Sequence, residues 1–178
     1  MKVIKTRFEG LKIIKQDKHS DSRGSLRITH NKKIIKYNNF VYEYCTTSKK
    51  NALRGFHFQH KFQQAKYVNV IKGKILDCVI DLRKKSKTFG KVYKIILSEK
   101  NCLSLYIPEG FAHAYYSLDK TNIIYYKLSN FYKPKYEDGI STVNSGFNII
   151  WPGKKILLSQ KDKIFGSFLD FKKKYQGL

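Results

Sequence analysis

The chain has few of the residues that build disulfide frameworks and disordered linkers. Its 178 residues include only three cysteines, three prolines and 11 glycines. Because Cys45, Cys78 and Cys102 are odd in number and show no C-x-x-C spacing, they argue against a disulfide scaffold or a zinc site and favour a reducing compartment. Aromatic residues make up 15% of the chain. The composition therefore predicts a globular protein, and the length predicts one domain over residues 1–178.

Long apolar runs are also missing. None approaches the roughly 18 residues that a membrane-spanning helix requires. The opening segment Met1–Gly10 contains no apolar core of the kind found in signal peptides. We therefore expect a cytoplasmic protein without a membrane partner.

Acidic residues are scarce relative to basic ones, with 13 Asp and Glu against 36 Lys and Arg and a net charge of +23. Such a charge is compatible with nucleic-acid binding, because lysine and arginine displace phosphate counterions. The basic residues are dispersed in short groups such as Lys32–Lys33 and Lys172–Lys174, which is typical of solvated surface lysine. We expect no nucleic-acid partner, although a positive field would attract an anionic small substrate.

Short runs of alternating or β-branched residues recur along the chain and predict an all-β fold. The predicted strands are Ser25–Thr29, Asn39–Thr46, Lys66–Ile71, Lys74–Asp81, Lys91–Leu97, Leu103–Ile107, Ala112–Leu118 and Asn122–Leu128. Turn residues separate them at 21–24, 71–73, 108–110 and 119–122. Two sheets closed into a jelly roll would remove most exposed edges. The tail Gln160–Phe171 is predicted to form a short helix.

Five polar residues stand inside otherwise apolar, strand-like segments: Arg54, His57, Lys66, His113 and Tyr126. On a regular strand Arg54 and His57 would point to opposite faces. A glycine between them, at position 55, is typical of a β-bulge that would turn both toward one cavity. A single strand histidine is as readily a core or surface residue as a functional one, so the hypothesis depends on the whole set.

Several segments of the chain follow one another in an order that is diagnostic as a set. These segments are Asp21–Gly24, Leu53–Gln59, Val79–Arg83, Thr88–Lys91, Ile107–His113, Tyr126–Lys127, Ile150–Pro152 and Leu158–Asp162. In this order the chain resembles the dTDP-4-dehydrorhamnose 3,5-epimerase family over nearly its whole length. The resemblance implies a double-stranded β-helix (jelly roll or cupin barrel), a homodimer, and a cofactor-free inversion at C3, C5 or both of a nucleoside-diphosphate-linked 4-keto-6-deoxyhexose.

The resemblance also implies a role for each polar residue. His57 would be the general base, held by Asp162, and Tyr126 the acid on the opposite face of the sugar. Each proton that is removed lies beside the C4 ketone and leaves an enolate, which Lys66 would stabilise with assistance from His113.

Substrate binding is implied for four further positions. Arg23 and Arg54 resemble phosphate clamps, a task suited to the planar guanidinium group. Tyr132 would pack on the nucleotide or the sugar, and Gln59 is placed among the substrate-binding residues.

Two segments depart from the family pattern. The family carries aromatic and then acidic residues after the Arg23–Gly24 pair, where this chain has Ser25, Leu26, Arg27 and Ile28. A segment that reads Gln-x-Asn-x-Ser in the family is Tyr42–Thr46 here, with phenols in place of amides. GDP-, UDP- and CDP-linked sugars therefore stand beside dTDP as predicted substrates, and so does epimerisation at only one carbon.

Two other classes of function compete with the epimerase. Many cupin barrels bind iron or manganese through two close histidines and a carboxylate. His57 and His60 are three residues apart, which on a strand directs them to opposite faces, so we expect no metal site. A metal-dependent oxygenase or isomerase is the second hypothesis, and a nucleic-acid-binding module, suggested only by charge, is the third.

Overall fold

The computed structural model describes residues 1–178, which form thirteen strands, one 3₁₀ turn and two short α-helices. The strands are β1 (Lys2–Lys5), β2 (Lys12–Lys15), β3 (Lys18–Asp21), β4 (Gly24–Arg27), β5 (Tyr42–Lys49), β6 (Leu53–Gln59), β7 (Lys66–Lys72), β8 (Lys74–Asp81), β9 (Val92–Ser98), β10 (Leu103–Ile107), β11 (Phe111–Ser117), β12 (Thr121–Leu128) and β13 (Glu137–Gly139). The 3₁₀ turn is Pro134–Tyr136, and the helices are α1 (Gln160–Lys163) and α2 (Phe168–Tyr175).

Two antiparallel sheets form the body of the fold. The first sheet has the order β1-β2-β10-β7-β12-β5 and the second has the order β13-β6-β11-β8-β9. Strands β3 and β4 form a separate two-stranded hairpin. Neighbours in each sheet come from distant parts of the chain, as they do in a jelly roll. The predicted all-β jelly-roll class is confirmed.

The main core lies between the two sheets. Alternate residues of the inner strands point into it, among them Val68 and Val70 from the first sheet and Val79 and Tyr115 from the second. Burying an aliphatic or aromatic side chain of this size contributes about 1.5–3 kcal/mol relative to exposure. Fourteen buried side chains form this cluster, so an apolar core holds the two sheets together.

The outer faces of both sheets are covered as well. Phe56 and Phe58 on the outer face of the second sheet pack against Phe171 of α2. On the first sheet, Tyr67 and Tyr106 are covered by Ile35 and its neighbours. Functional polar side chains are therefore expected on the inner face of each sheet.

The predicted strand bounds agree closely with the structure for most of the chain, and β8 and β10 match them fully. Strand β5 lies three residues later than predicted, because its pairing with β12 runs from Thr121↔Lys49 to Leu128↔Tyr42. The four-residue strands β1 and β2 were not predicted. Each places an apolar pair between lysines, which does not alternate, and the two strands are paired with each other.

The C-terminal segment is helical as predicted, but residues 160–171 do not form one continuous helix. The side chain of Ser159 caps α1 by accepting a hydrogen bond from the backbone N–H of Asp162. Ser167 and Asp170 form a capping box that begins α2. The second cap, Ser167, lies four residues after the end of α1 and starts a new helix. Neither helix has the length and apolar character needed to cross a membrane.

Candidate active site

A bulge in β6 brings Arg54 and His57 to the same face of the second sheet. His57 lies opposite His113 in the ladder, whereas Arg54 lies opposite Tyr115, so three steps on β6 match two on β11. Gly55 has φ +111, and a Cβ there would lie 2.4 Å from the carbonyl oxygen of His113. Only glycine fits this position, and the predicted bulge is confirmed.

His57 is held by a carboxylate from the C-terminal segment. Its Nε2 lies 2.5 Å from Oδ1 of Asp162, which is 2% exposed. Burial by itself would raise the pKa of Asp162, yet the hydrogen bond and charge of His57, together with Ser159, hold that pKa below its ordinary value. An ionised carboxylate at Nε2 fixes the imidazole tautomer and leaves Nδ1 free to accept a proton. Phe165 packs against the edge of the ring at 5.7 Å.

Lys66 reaches across from the first sheet. It is 9% exposed, and its Nζ donates to the backbone carbonyl of His57 at 3.4 Å. Burial lowers the pKa of Lys66 to about 8, against the opposing effect of the carboxylates Glu137 and Asp77. At neutral pH the ammonium group is thus a charged donor with little solvent around it.

His113 pairs with a buried carboxylate that was not predicted from the sequence. Its Nε2 lies 2.8 Å from Oδ2 of Asp77, which is fully buried, and the other carboxylate oxygen has no partner within the chain. Asp77 follows Ile75 and precedes Val79 on the inner face of β8, so strand alternation could have identified it. The pair places a second histidine–carboxylate unit beside the first.

Tyr126 lies on the inner face of the first sheet, whereas His57 belongs to the second sheet. Its ring is 3% exposed, stacks on Tyr44 at 4.8 Å and contacts His113 edge-on at 6.1 Å. Burial, followed by the neighbouring phenols, raises the pKa of Tyr126 well above its ordinary value. The phenol therefore keeps its proton at neutral pH. The neighbouring Tyr125 bonds to Glu43 on the outer face, as strand alternation predicts.

Three of the predicted substrate-binding residues lie around this group in different ways. Arg54 is exposed, and its Nε donates to Ser48 at 3.0 Å. Gln59 is buried and holds a loop, because its amide bonds the backbone of Phe62 at 2.7 Å and of Lys133 at 2.6 Å. Tyr132 belongs to that loop and is 45% exposed. Gln59 is therefore placed to position Tyr132.

A carboxylate–lysine pair, Glu137 and Lys161, lies close to Lys66 and His57 and was not predicted from the sequence. Glu137 accepts hydrogen bonds from Tyr132 and Lys161. Burial alone would raise the pKa of Glu137, but these two partners hold it below its ordinary value. Strand β13 is only three residues long and gives no periodic signal. Lys161 precedes Asp162 in the sequence, and this neighbourhood could have indicated that Lys161 lies near the site.

Arg23 does not join the others within one chain. It lies on the β3–β4 hairpin, its side chain is 88% exposed, and it pairs with Asp21 at 2.8 Å. The ring of His60 packs against Tyr136 and Tyr175, away from His57. No group of three or more His, Cys, Asp or Glu side chains is placed to hold a metal ion.

The arrangement is suited to moving a proton between two faces of one small molecule. An imidazole with a carboxylate behind it lies on the second sheet, and a protonated phenol lies on the first. A charged ammonium bonds to the backbone carbonyl of the first imidazole, and a second imidazole contacts the phenol ring. Both are donors that could stabilise a developing oxyanion.

Comparison with known proteins gives the same family throughout. The family model described as dTDP-4-dehydrorhamnose 3,5-epimerase matches residues 5–170. A dTDP-4-dehydrorhamnose 3,5-epimerase from Methanothermobacter thermautotrophicus is 37% identical over 167 residues, which cover 90% of each chain. The crystal structure of the enzyme of that name from Elizabethkingia anophelis is 35% identical, with a TM-score of 0.88 over 96% of this chain and 97% of that one.

A third relative was crystallised with a ligand. The dTDP-6-deoxy-D-glucose-3,5-epimerase of Legionella pneumophila, in complex with dTDP-4-keto-L-rhamnose, is 32% identical. Its TM-score is 0.89 over 94% of this chain and 93% of that one. Given the match over residues 5–170 and these relatives, the chain belongs to the dTDP-4-dehydrorhamnose 3,5-epimerase family.

Proposed function

We propose that this chain epimerises a nucleoside-diphosphate-linked 4-keto-6-deoxyhexose of the dTDP-4-dehydro-6-deoxyglucose type, at C3, C5 or both, in deoxysugar biosynthesis. Membership of the family supports an isomerase. The observation that carries the mechanism is the placement of the His57–Asp162 pair and the Tyr126 phenol on opposite sheets. Base and acid then approach the sugar ring from its two sides.

In the proposed reaction His57 takes the proton from the carbon beside the ketone. The electron pair of that C–H bond forms the C=C bond of an enolate, whose negative charge rests on the C4 oxygen near Lys66 and His113. Tyr126 then gives its proton to the same carbon from the other side, and the ketone is restored. His57 returns its proton to solvent and Tyr126 takes one up, so no oxidant or reductant is consumed.

The direct test is incubation with a panel of dTDP-, UDP-, CDP- and GDP-linked 4-keto-6-deoxy sugars in D₂O. Each inverted carbon should carry one deuterium, so the recovered sugar should gain about one mass unit per epimerised position by mass spectrometry. Proton NMR of the product then shows which carbon was inverted. Absence of deuterium in every sugar of the panel would contradict the proposal.

We expect Asp162→Asn to slow deuterium exchange by at least about tenfold, though less than removal of His57 does. Asparagine keeps the shape but cannot stabilise the imidazolium ion, and it permits the wrong tautomer. Single-turnover exchange measured by mass spectrometry gives the rate. Asp170→Asn, which alters the capping box of α2 instead, serves as the matched control. Equal rates for wild type and Asp162→Asn would remove Asp162 from this role.

We expect Tyr126→Phe to separate exchange from inversion. The ring and its stacking remain, but the proton donor is lost, so the enolate still forms and is quenched from the His57 side or by water. Deuterium would then enter with little inversion. The ratio of deuterium content to inverted product, by mass spectrometry and NMR, is the measurement. Tyr125→Phe is the matched control, since that phenol lies on the outer face. An unchanged ratio in Tyr126→Phe would show that Tyr126 only packs.

We propose that the active form is a homodimer. The edge strand β5 exposes Tyr42 (38%), the residue before it is Val41 (50%), and the β3–β4 hairpin exposes Leu26 (63%). A second copy would cover these side chains. A dimer would also allow the hairpin of one protomer to bring Arg23 to its partner's cavity. Light scattering should then give a mass of twice 20.9 kDa.

Trans-complementation tests the placement of Arg23. Arg23→Ala and His57→Ala chains, each inactive alone, should regain about half the wild-type activity in mixed dimers, because one of the two sites is then complete. A monomeric mass, or mixed dimers without activity, would contradict this arrangement.

A further inference from the structure

The β3–β4 hairpin projects from the body of the fold. Its two strands pair with each other and with neither sheet. Every residue of these strands is exposed except Arg27, which is partly buried. A cleft of about 590 Å³ has Ser25 and Arg27 of the hairpin on one side and Ile71 and Glu99 of the body on the other. Few contacts therefore fix the angle at which the hairpin leaves the body.

Arg27 forms the side-chain contact between the strands of the hairpin and the body. Its Nη2 donates to the backbone carbonyl of Val70 at 2.9 Å, and its Nη1 lies 3.5 Å from the carbonyl oxygen of Glu99. No other side chain of β3 or β4 forms a hydrogen bond or an ion pair outside the hairpin. Because the guanidinium group is always charged, its hydrogen bond to a carbonyl is a strong one.

The two acceptors of Arg27 belong to firmly held parts of the body. Val70 is 1% exposed and pairs with Ile124 of β12. Glu99 is bonded twice to Gly73: its backbone N–H donates to the carbonyl of Gly73 at 3.1 Å, and its carboxylate accepts from the N–H of Gly73 at 3.2 Å. Arg27 thus joins an exposed hairpin to a rigid support.

Arg23 lies at the turn of this hairpin, so its position depends on the angle of the strands. It precedes Arg27 by four residues, about 13 Å along an extended strand. A tilt of about 10° at Arg27 would displace Arg23 by about 2 Å, which is enough to break a hydrogen bond. Leu26, adjacent to Arg27, points to the opposite side of the strand, where the second copy of the proposed dimer would lie.

We propose that Arg27 is a positioning residue, which sets the projection of the hairpin and so delivers Arg23 to the cavity of the partner subunit. The inference rests on the proposed function and its homodimer, in which Arg23 binds the diphosphate of the substrate. Arg27 itself is used by its own chain and touches neither substrate nor partner. Its loss should therefore weaken substrate binding and leave the chemical step unchanged.

Steady-state epimerisation kinetics test the proposal. Arg27→Met keeps the aliphatic stem without the donor and should raise KM by about 10- to 100-fold, the range expected for loss of one hydrogen bond to a charged group. Its kcat should stay within about twofold of wild type, because only binding is affected. Arg27→Lys keeps a charged donor and should bring KM back to within about fivefold of wild type.

Lys18→Met is the matched control, since Lys18 pairs with Arg27 across the hairpin and forms no bond to the body. It should keep the wild-type KM. An Arg27→Met protein with the wild-type KM, or one whose light scattering gives a monomeric mass, would overturn the proposal.

Mixed dimers show which chain Arg27 acts through. A dimer of Arg27→Met and His57→Ala chains should regain about half the wild-type activity, because one site then combines an intact His57 with an intact partner hairpin. A dimer of Arg27→Met and Arg23→Ala chains should not, because both hairpins are impaired. Absence of activity in the first mixture would place the effect of Arg27 within its own barrel and overturn the proposal.

Amide hydrogen exchange measures the hairpin without any substrate. In Arg27→Met the amides of residues 18–27 should exchange at least about tenfold faster than in wild type, because the hairpin opens more often, whereas those of β7 and β10 should not change. If the hairpin responds in this way but wild-type protein epimerises no sugar, the positioning role remains and the proposed function is wrong. If sugars are epimerised and the hairpin amides of Arg27→Met exchange as in wild type, the epimerase remains and the positioning role is wrong.

Discussion

In a folded His57→Ala variant, we expect the rate of deuterium exchange into the 4-keto sugar to fall by about 10²–10⁴-fold, the contribution of a positioned general base. The alanine side chain cannot accept the α-proton, and Asp162 lies behind the ring, 2.5 Å from Nε2. The carboxylate cannot replace the imidazole from there without moving. Exchange in D₂O, followed by mass spectrometry over hours, measures the remaining rate.

His60→Ala is the control for this experiment, because its ring packs on Tyr136 and Tyr175 rather than in the cavity. It should keep the wild-type rate per folded molecule, with the folded fraction measured by thermal unfolding. A His57→Ala protein that is folded and exchanges deuterium at nearly the wild-type rate would show that another group removes the proton.

Replacing Lys66 by methionine should slow exchange by about 10²–10³-fold, the usual effect of removing one oxyanion donor. The same change should raise the free energy of unfolding at pH 7 by about 1–3 kcal/mol. Burial lowers the folded-state pKa of Lys66 to about 8, so the unfolded chain binds this proton more tightly and the buried cation destabilises the fold. Urea unfolding and exchange rates together measure the two opposite effects.

The pH dependence follows from the same shift. As pH rises from about 8 to the ordinary lysine range near 10.4, the folded protein loses the proton first and wild-type stability should rise toward that of Lys66→Met. Exchange should fall over the same range, because the neutral amine is a weaker partner for an enolate. Lys66→Met should lack this alkaline limb. A variant that is less stable than wild type at pH 7, with wild-type exchange, would assign Lys66 a purely structural role.

The inner face of the barrel was largely predictable from the sequence. Arg54 and His57 lie on one strand, and the glycine between them predicts the bulge that turns both side chains to the same face. Lys66 and Tyr126 lie in apolar runs whose alternation defines one face, and Tyr125 points away as alternation requires. The ordered segments of the family supplied Asp162, which is 105 positions from His57 and has no local signal.

The residues that were missed depend on contacts between distant segments. Glu137 enters the cavity because a three-residue strand pairs with the end of β6, and so short a strand has no period to read. Gln59 was predicted to bind substrate because its side chain is a polar amide. In the structure that amide forms hydrogen bonds with the backbone of residues 129–133. Arg23 was predicted as a phosphate clamp. Within one chain it lies exposed on the β3–β4 hairpin and pairs with Asp21, so its place relative to the other residues depends on the hairpin and on assembly.

The bulge in β6 has the form of a one-residue insertion, and this makes position 55 unusual under mutation. Any substitution adds a Cβ that collides with the carbonyl oxygen of His113 at 2.4 Å. Deletion of the same residue would instead restore regular pairing between β6 and β11. Arg54 and His57 would then be two positions apart and would still share a face. Saturation mutagenesis should therefore recover glycine alone at this codon, while an in-frame deletion keeps the strand register. Position 55 therefore tolerates deletion of its residue but not substitution by any other amino acid.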